Sequence, residues 1–277
     1  MVQLGQRIAE ESLARPGAEP RSVARGWASF SLGLLRICGG DRRGALSAIE
    51  EAEAIGQSLD APELVSRALG THSDMLPVQE RDLQQTKAAA AEAVAIARGL
   101  TSPDMPIGLS SALMSYGNNL YWLDNLTAAE AAYAEGFELS MKAGDDGNAA
   151  VAASNLIDAR IRGGSDRGVQ GLLLDISRFE EQTQSSYVGR FLMKGCIQLA
   201  LYRKLWRDAL LLRAAESALA LEFGLDPEPL ADMPAKFAAA EAALGAKAAE
   251  EVKRAGAKLT YSAALAHARA WLAQQPD

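Results

Sequence analysis

The sequence predicts an all-α protein, a right-handed solenoid of about five stacked helix pairs closed by a C-terminal helical cap. Three observations predict it: an apolar half dominated by Ala and Leu, apolar stripes at steps of three and four, and turn residues recurring about every forty positions. Apolar residues are 49% of the 277, yet aromatics are only 6%. Ala and Leu lose little side-chain freedom in a helix and are its strongest formers. Strand-like alternation of Val, Ile and Thr is nearly absent.

Helical periodicity is explicit at Leu109, Ala112, Leu113, Tyr116, Leu120 and Leu123, which place one apolar stripe on one face. Ala45, Ile49, Ala52 and Leu59 do the same. Breakers then punctuate the chain at Gly39-Gly40-Asp41, Glu80-Arg81-Asp82, Leu123-Asp124-Asn125, Gly163-Gly164-Ser165 and Arg203-Lys204-Leu205. Taking the last residue of each as equivalent gives steps of 41, 43, 40 and 40. A fixed period of this size marks stacked helix pairs. The predicted pairs are 20–38 with 42–59, 61–77 with 81–99, 104–122 with 126–143, 146–162 with 166–183, and 186–202 with 206–222. Pro20, Pro62, Pro103 and Pro106 open new helices, where a missing N–H costs nothing. Domain boundaries follow: repeats over 1–222, and a helical cap over 223–277 continuous with them.

Leu32, Gly33, Ala45, Ile49 and Ala52 stand at the spacings of the tetratricopeptide pattern, as do Leu113, Gly117, Leu120, Ala129, Tyr133 and Gly136. The period exceeds the roughly 34 residues of that repeat, so helices or turns here are longer. In the other pairs Asp74, Ile157 and Ile197 occupy the close-packing glycine's position. Either the register shifts there or those helices pack further apart. Gln3 to Ala14 resembles the second helix of a pair, which implies either an atypical N-terminal cap or the end of something longer; the second is the expectation.

Beyond the fifth pair stand Leu212-Arg213-Ala214-Ala215-Glu216-Ser217-Ala218, Gly224-Leu225-Asp226-Pro227, Ala240-Glu241-Ala242-Ala243-Leu244-Gly245, Gly256-Ala257-Lys258-Leu259-Thr260 and Ala263-Ala264-Leu265-Ala266. This order resembles the C-terminal tetratricopeptide region of large bacterial ATPase-type transcriptional regulators, the LuxR and antibiotic-pathway regulator kind. The resemblance spans the chain at the level of repeats, and residues 205–270 at the level of motif. It departs at Tyr261-Ser262, where the family carries acidic residues. Thr260 can still cap the last helix, but Ala263 at the third position removes a reciprocal capping box. The family's phosphate-binding loop and DNA-reading helices are not recognisable here. The resemblance therefore implies the sensing or partner-binding end of such a regulator.

Charge and motifs point away from chemistry. A net charge of -7 lacks the basic footprint of a nucleic-acid binder. Arg203, Lys204 and Arg207 read as a solvated turn. The Gly-rich runs 39–44 and 163–168 lack the Lys and hydroxyl of a phosphate loop and read as helix stops. His72 and His267 are the only histidines, and neither has a Cys or His at ligand spacing. Glu50-Glu51, Glu180-Glu181 and Glu250-Glu251 point in different directions and read as solvated faces. Cys38 and Cys196 each read as a small buried hydrophobe. No apolar run reaches the ~18–20 residues of a membrane span, and the first residues lack a secretory signal pattern. The expectations are no enzyme, no catalytic residue, no metal, no cofactor, no membrane and a cytoplasmic location.

What remains is a groove lined by the first helices of the pairs. Asn118 follows the close-packing Gly117, and Tyr121 or Trp122 offers a flat apolar surface one turn on. Asn155, Asp158 and Arg162 come from the next first helix, and Arg190 and Lys194 from the fifth. An amide with a guanidinium can grip a carboxylate or phosphate while the aromatic stacks on a ring. The bland alternative is that the aromatics fill the inter-repeat core and the polar groups face water. The expected role is a binding or sensor module for a protein partner or a small-molecule effector, with no nucleic acid bound by this chain and homo-oligomers possible. The alternatives are a free-standing adaptor for peptide segments of partners, or an enzyme built around His72 or His267.

Overall fold

The computed structural model describes residues 2–18, 21–75, 82–101, 105–222 and 233–275. Among these residues there are fourteen helices and no strand. They fall into two compact units. Unit 1, Met1–Asp145, holds α1 (Val2–Leu13), α2 (Val23–Cys38), α3 (Arg42–Ser58), α4 (Pro62–Met75), α5 (Leu83–Gly99), α6 (Met105–Trp122) and α7 (Leu126–Ala143). Unit 2, Asp146–Asp277, holds α8 (Asp146–Arg162), α9 (Val169–Thr183), α10 (Ser186–Tyr202), α11 (Trp206–Glu222), α12 (Pro234–Leu244), α13 (Ala246–Gly256) and α14 (Tyr261–Leu272). Helices α2 to α11 stand where the recurrence predicts them, with ends shifted by up to three residues. The expectations at Pro20, Glu80-Arg81, Pro103 and Gly224-Leu225-Asp226-Pro227 lie outside the described residues.

The turns explain the period. Gly40, Asp124, Gly164 and Lys204 all have positive φ, and the last three are 40 residues apart. The next residue in each case sends its N–H back five positions: Asp41 to the Arg36 carbonyl, Asn125 to Leu120, Ser165 to Arg160 and Leu205 to Ala200. That is the left-handed helix stop that satisfies the last carbonyls of a helix. The same bond closes two further turns, from Ala61 to Gly56 and from Asp145 to Ser140. Asp41 and Asn125, each following a stop, also cap the next helix, accepting from the Gly44 N–H at 3.0 Å and from Ala128, and Asp82 caps α5 by accepting from Gln84 and Gln85. Helix α9 is the late starter, because Gly168 also takes a positive φ of 67° before Val169.

In unit 1 each helix packs on the next, and α2 also touches α4, as α4 touches α6. One core cluster gathers Phe30, Ala45, Ile49, Ala52, Ile55, Leu64 and Ala68; a second gathers Ala93, Val94, Ala97, Leu109, Ala112, Leu113 and Ala132. Each large aliphatic chain so buried contributes about 1.5–3 kcal/mol. Ile55 continues the α3 stripe into the core, whereas Leu59, beyond the helix end, is exposed. Gly33 and Gly117 are close-approach points as predicted. A Cβ at Gly33 would lie 2.6 Å from Ile49 Cδ1, and one at Gly117 2.5 Å from Tyr133 Cε1. At Asp74 the glycine's role passes to other small residues of α4: Gly70 lies against α5 and α6, and the Ser66 hydroxyl donates to the Ala93 carbonyl.

In unit 2, α8 packs on α9 and α10, α9 on α10, and α10 on α11. Ile157 and Ile197 are fully buried, and Gly195 of α10 lies against Leu173 of α9 and Ile157 of α8. Helices α12 and α13 cover α11, and α14 lies on α9, α10 and α11. Thr260 caps α14 through the Ala263 N–H at 3.3 Å.

Three sequence expectations need correction. Cys196 is buried, but Cys38 is exposed because it ends α2, past the stripe that Leu32 and Gly33 bury. Glu180 is not on a solvated face: α14 covers it, and Arg269 reaches its carboxylate while also bonding Ser177 at 3.1 Å. Arg203 does not belong to a loose basic turn, since its Nε sits 2.7 Å from the Asp166 carboxylate.

Candidate functional site

The predicted groove residues divide between the units and are placed in three settings. In unit 1, Asn118 ties three helices together. Its amide N–H donates to the Asp74 carboxylate of α4 at 3.0 Å, and its carbonyl accepts from the Tyr133 hydroxyl of α7 at 2.7 Å. Beside it Asn119, fully buried, donates to the Ser73 hydroxyl and to the Ser115 carbonyl. This network follows from sequence: Gly117 lets α7 close in, and Tyr133 then reaches Asn118. One turn on, Tyr121 and Trp122 meet edge to face with centroids 5.5 Å apart, and Trp122 is 38% exposed. The pair presents an apolar surface with polar edges at the end of α6.

In unit 2, Asp158 of α8 is held from α10 on both oxygens. Lys194 Nζ donates to one at 2.8 Å, and the Gln198 amide donates to the other. Asp158 and Lys194 are largely buried, so this pair is screened less than a surface ion pair. Asn155, one turn before Asp158, is half-buried, and Arg162 at the end of α8 is exposed. Arg190, one turn before Lys194, lines a cavity with Glu216 of α11 and Tyr261 of α14.

Sequence reasoning missed a second surface in unit 1. A groove of about 470 Å³ runs between α5 and α7 over α6, walled by Ala91, Val94, Ala95, Ala128, Ala131 and Ala132 and floored by Leu113 and Tyr116. Arg98 and Glu135 pair across its rim at 2.7 Å. The signal was the Ala runs of the two second helices, read only as helix formers.

His72 of α4 places Nδ1 3.0 Å from the Glu53 carboxylate of α3, with Glu50 at 4.0 Å from its other nitrogen. That hydrogen bond raises the imidazole pKa above 6.5 against the opposing effect of burial, and the two carboxylate charges add to the rise. Burial pushes the Cys196 thiol far up, away from the thiolate a nucleophile needs. Among the described residues no group of three or more His, Cys, Asp or Glu is gathered to hold a metal ion. Among them, too, no helix is long and apolar enough to cross a membrane.

No family model matches the sequence, and no curated protein matches it either.

Proposed function

We propose that the chain is a tetratricopeptide-like, right-handed solenoid that binds a protein partner or small effector on the faces of its first helices, without catalysis. We further propose that it serves as the sensing part of a bacterial transcriptional regulator. One observation carries the reading: the packing order within each unit. A second helix packs on the first helix of its own pair and on that of the next, and successive first helices touch directly, α2 with α4, α4 with α6, and α8 with α10. This is the neighbour pattern of stacked helix pairs, in which first helices line one face together. The Asp74–Asn118 and Asp158–Gln198 bonds support it, since both join successive first helices.

The adaptor reading is favoured by the Ala-walled groove of α5 and α7, whose small apolar walls and Arg98–Glu135 rim suit a helical peptide segment. The native gene separates the two: an ATPase-coding region in frame ahead of Gln3 supports the regulator, and a free-standing gene the adaptor. The binding face is tested by capture from the native host with wild-type chain, Trp122→Ser, and Lys194→Met paired with Asp158→Asn. The paired variant removes both charges of the Asp158–Lys194 pair together, and its melting curve is compared with that of the wild type. Proteins or small molecules recovered at least about tenfold less with the face variants, and unchanged with the remote Gly171→Ala, support the proposal; each bond lost to a charged group is worth about 1.5–3 kcal/mol. Equal recovery by all four refutes the face.

A further inference from the structure

The first two helices of unit 1 carry an apolar seat at positions that are buried one repeat later. The step from Asp41 to Asp82 is 41 residues, and the same step back from α4 sets Val23, Trp27 and Leu34 of α2 against Leu64, Ala68 and Met75. Those three α4 residues are buried in one cluster with Phe30 of α2 and Ile49, Ala52 and Ile55 of α3. Val23 and Leu34 are exposed, and Trp27 is half-buried with the Arg67 guanidinium over its ring. Applied to α3, the step puts Leu4 and Ile8 of α1 where Ala45 and Ile49 stand. Ala45 and Ile49 are fully buried and lie against Gly33 of α2, whereas Leu4 is 49% and Ile8 55% exposed.

The contacts of α1 put these residues on one side. It runs antiparallel to α2, with Gly5 against Leu35 and the Leu13 carbonyl accepting from Arg25. Turning about 100° per residue from Gly5 and Leu35, the Glu10–Arg36 ion pair closes one side of the seam. Leu4, Ile8, Val23, Trp27 and Leu34 fall on the other. The seat is thus bounded by a second helix and the following first helix, the neighbours that α2 itself has in α3 and α4. It fits a helix in the place of a first helix.

The apolar and charged pattern selects the occupant. Terminal repeats of stacked arrays stay soluble through a polar outer face. Among the described residues α12, α13 and α14 expose no large apolar side chain, so that end of another copy offers little to bury in the seat. The α1–α2 edge does offer it, as the Leu4–Ile8 stripe. That stripe is flanked by Arg7 and Glu11, both well exposed and 3.9 Å apart, a weak pair within the helix. Two such helices laid antiparallel about Ile8 bring Arg7 of each alongside Glu11 of the other, so the edge is complementary to itself in charge as well as in apolar surface. A two-fold contact of this kind uses the same patch on both copies and closes on itself.

We propose that the α1–α2 edge binds the same edge of a second copy, each α1 filling the first-helix seat of the other across a two-fold axis at Ile8. The pairing involves only α1 and α2, so it stands or falls apart from the binding proposed for α6, α8 and α10.

The test is sedimentation velocity of the full chain over about a hundredfold range of concentration. The expected result is a monomer–dimer equilibrium in the micromolar range, because the patch is small. Ile8→Glu and Leu34→Glu each weaken the dimer at least about tenfold, with helical content kept because both side chains are exposed. Arg7→Glu and Glu11→Arg each weaken it by like-charge contact, and mixing the two single variants restores it. A Cys38→Ser chain carrying Ile8→Cys forms a disulfide between copies on mild oxidation, and one carrying Gly171→Cys does not. A chain that stays monomeric throughout, a dimer indifferent to Ile8→Glu, or a dimer without the Ile8→Cys cross-link overturns the proposal. So does a longer native product that is monomeric because a helix of its own covers Leu4 and Ile8. If Ile8→Glu loses helical content, the Ile8→Cys cross-link decides.

Discussion

Gly117→Ala is the sharpest test of the packing that holds unit 1. Replacing a mid-helix glycine by alanine ordinarily stabilises by about 0.5–1 kcal/mol, through the entropy the glycine gives up on folding. Here the new methyl would stand 2.5 Å from Tyr133 Cε1 and 2.7 Å from Cδ1, distances that real contacts do not show. Tyr133 is 2% exposed and its hydroxyl is anchored 2.7 Å from Asn118, so the ring cannot step aside without breaking that bond. Overpacking costs about 1–3 kcal/mol and the bond about 1 more. After the helix-propensity gain is subtracted, the expected net loss is about 1–3 kcal/mol, a fall of roughly 2–4 °C in melting temperature per kcal/mol. Gly171→Ala on α9 is the internal control: nothing lies within 4 Å of its added methyl, so the same chemical change should stabilise by about 0.5–1 kcal/mol. Urea unfolding followed by circular dichroism reads both. A Gly117→Ala chain as stable as the Gly171→Ala chain would refute the close approach of α6 and α7. So would Tyr133→Leu failing to relieve the Gly117→Ala penalty in a double-mutant cycle.

Three further outcomes follow from single sites. His72 should titrate above 6.5 by NMR because Glu53 and Glu50 favour its cation, and Glu53→Gln should bring it down; the stability it adds is whole below 6.5 and is lost as pH rises through the raised folded value, so a native value at or below 6.5 would refute the α3–α4 clamp. A thiol reagent such as dithionitrobenzoate should consume one thiol per folded chain, Cys38, and a second only on unfolding, because Cys196 is fully buried. Lys204, at φ 59°, pays a left-handed backbone cost that glycine avoids, so Lys204→Gly should stabilise by about 1 kcal/mol in the same urea assay, and Asp124→Gly by less because Asp tolerates that conformation better.

The elements were legible from sequence because turn chemistry and apolar spacing are local. Asp41, Asp82 and Asn125 announce a capped start by residue type alone, and Gly40 and Gly164 a left-handed stop. Asp124 and Lys204 perform the same stop without glycine, and only their place in the recurrence reveals it. The close-packing register was legible where glycine marks it, at Gly33 and Gly117. It was hidden at α4, where Ser66 and Gly70 provide the small surface at other positions. Glu180 was misread for a different reason: α14 covers it from about 90 residues away in sequence, and the spacing of charges within α9 carries no trace of it.

The polar rungs between first helices recur at one repeat position, seven residues before the turn: Asn118 in α6, Asp158 in α8 and Gln198 in α10. In α2 that position is Leu34, which is 40% exposed, and in α4 it is Met75, which is buried. Stacking therefore does not require a hydrogen-bonding side chain there. A buried ion pair such as Asp158–Lys194 is also a poor source of stability, since well-packed apolar residues can do as well or better. The binding face proposed above would give the polar residues of α6, α8 and α10 a use besides packing, and it is this use that the Lys194→Met, Asp158→Asn pair probes.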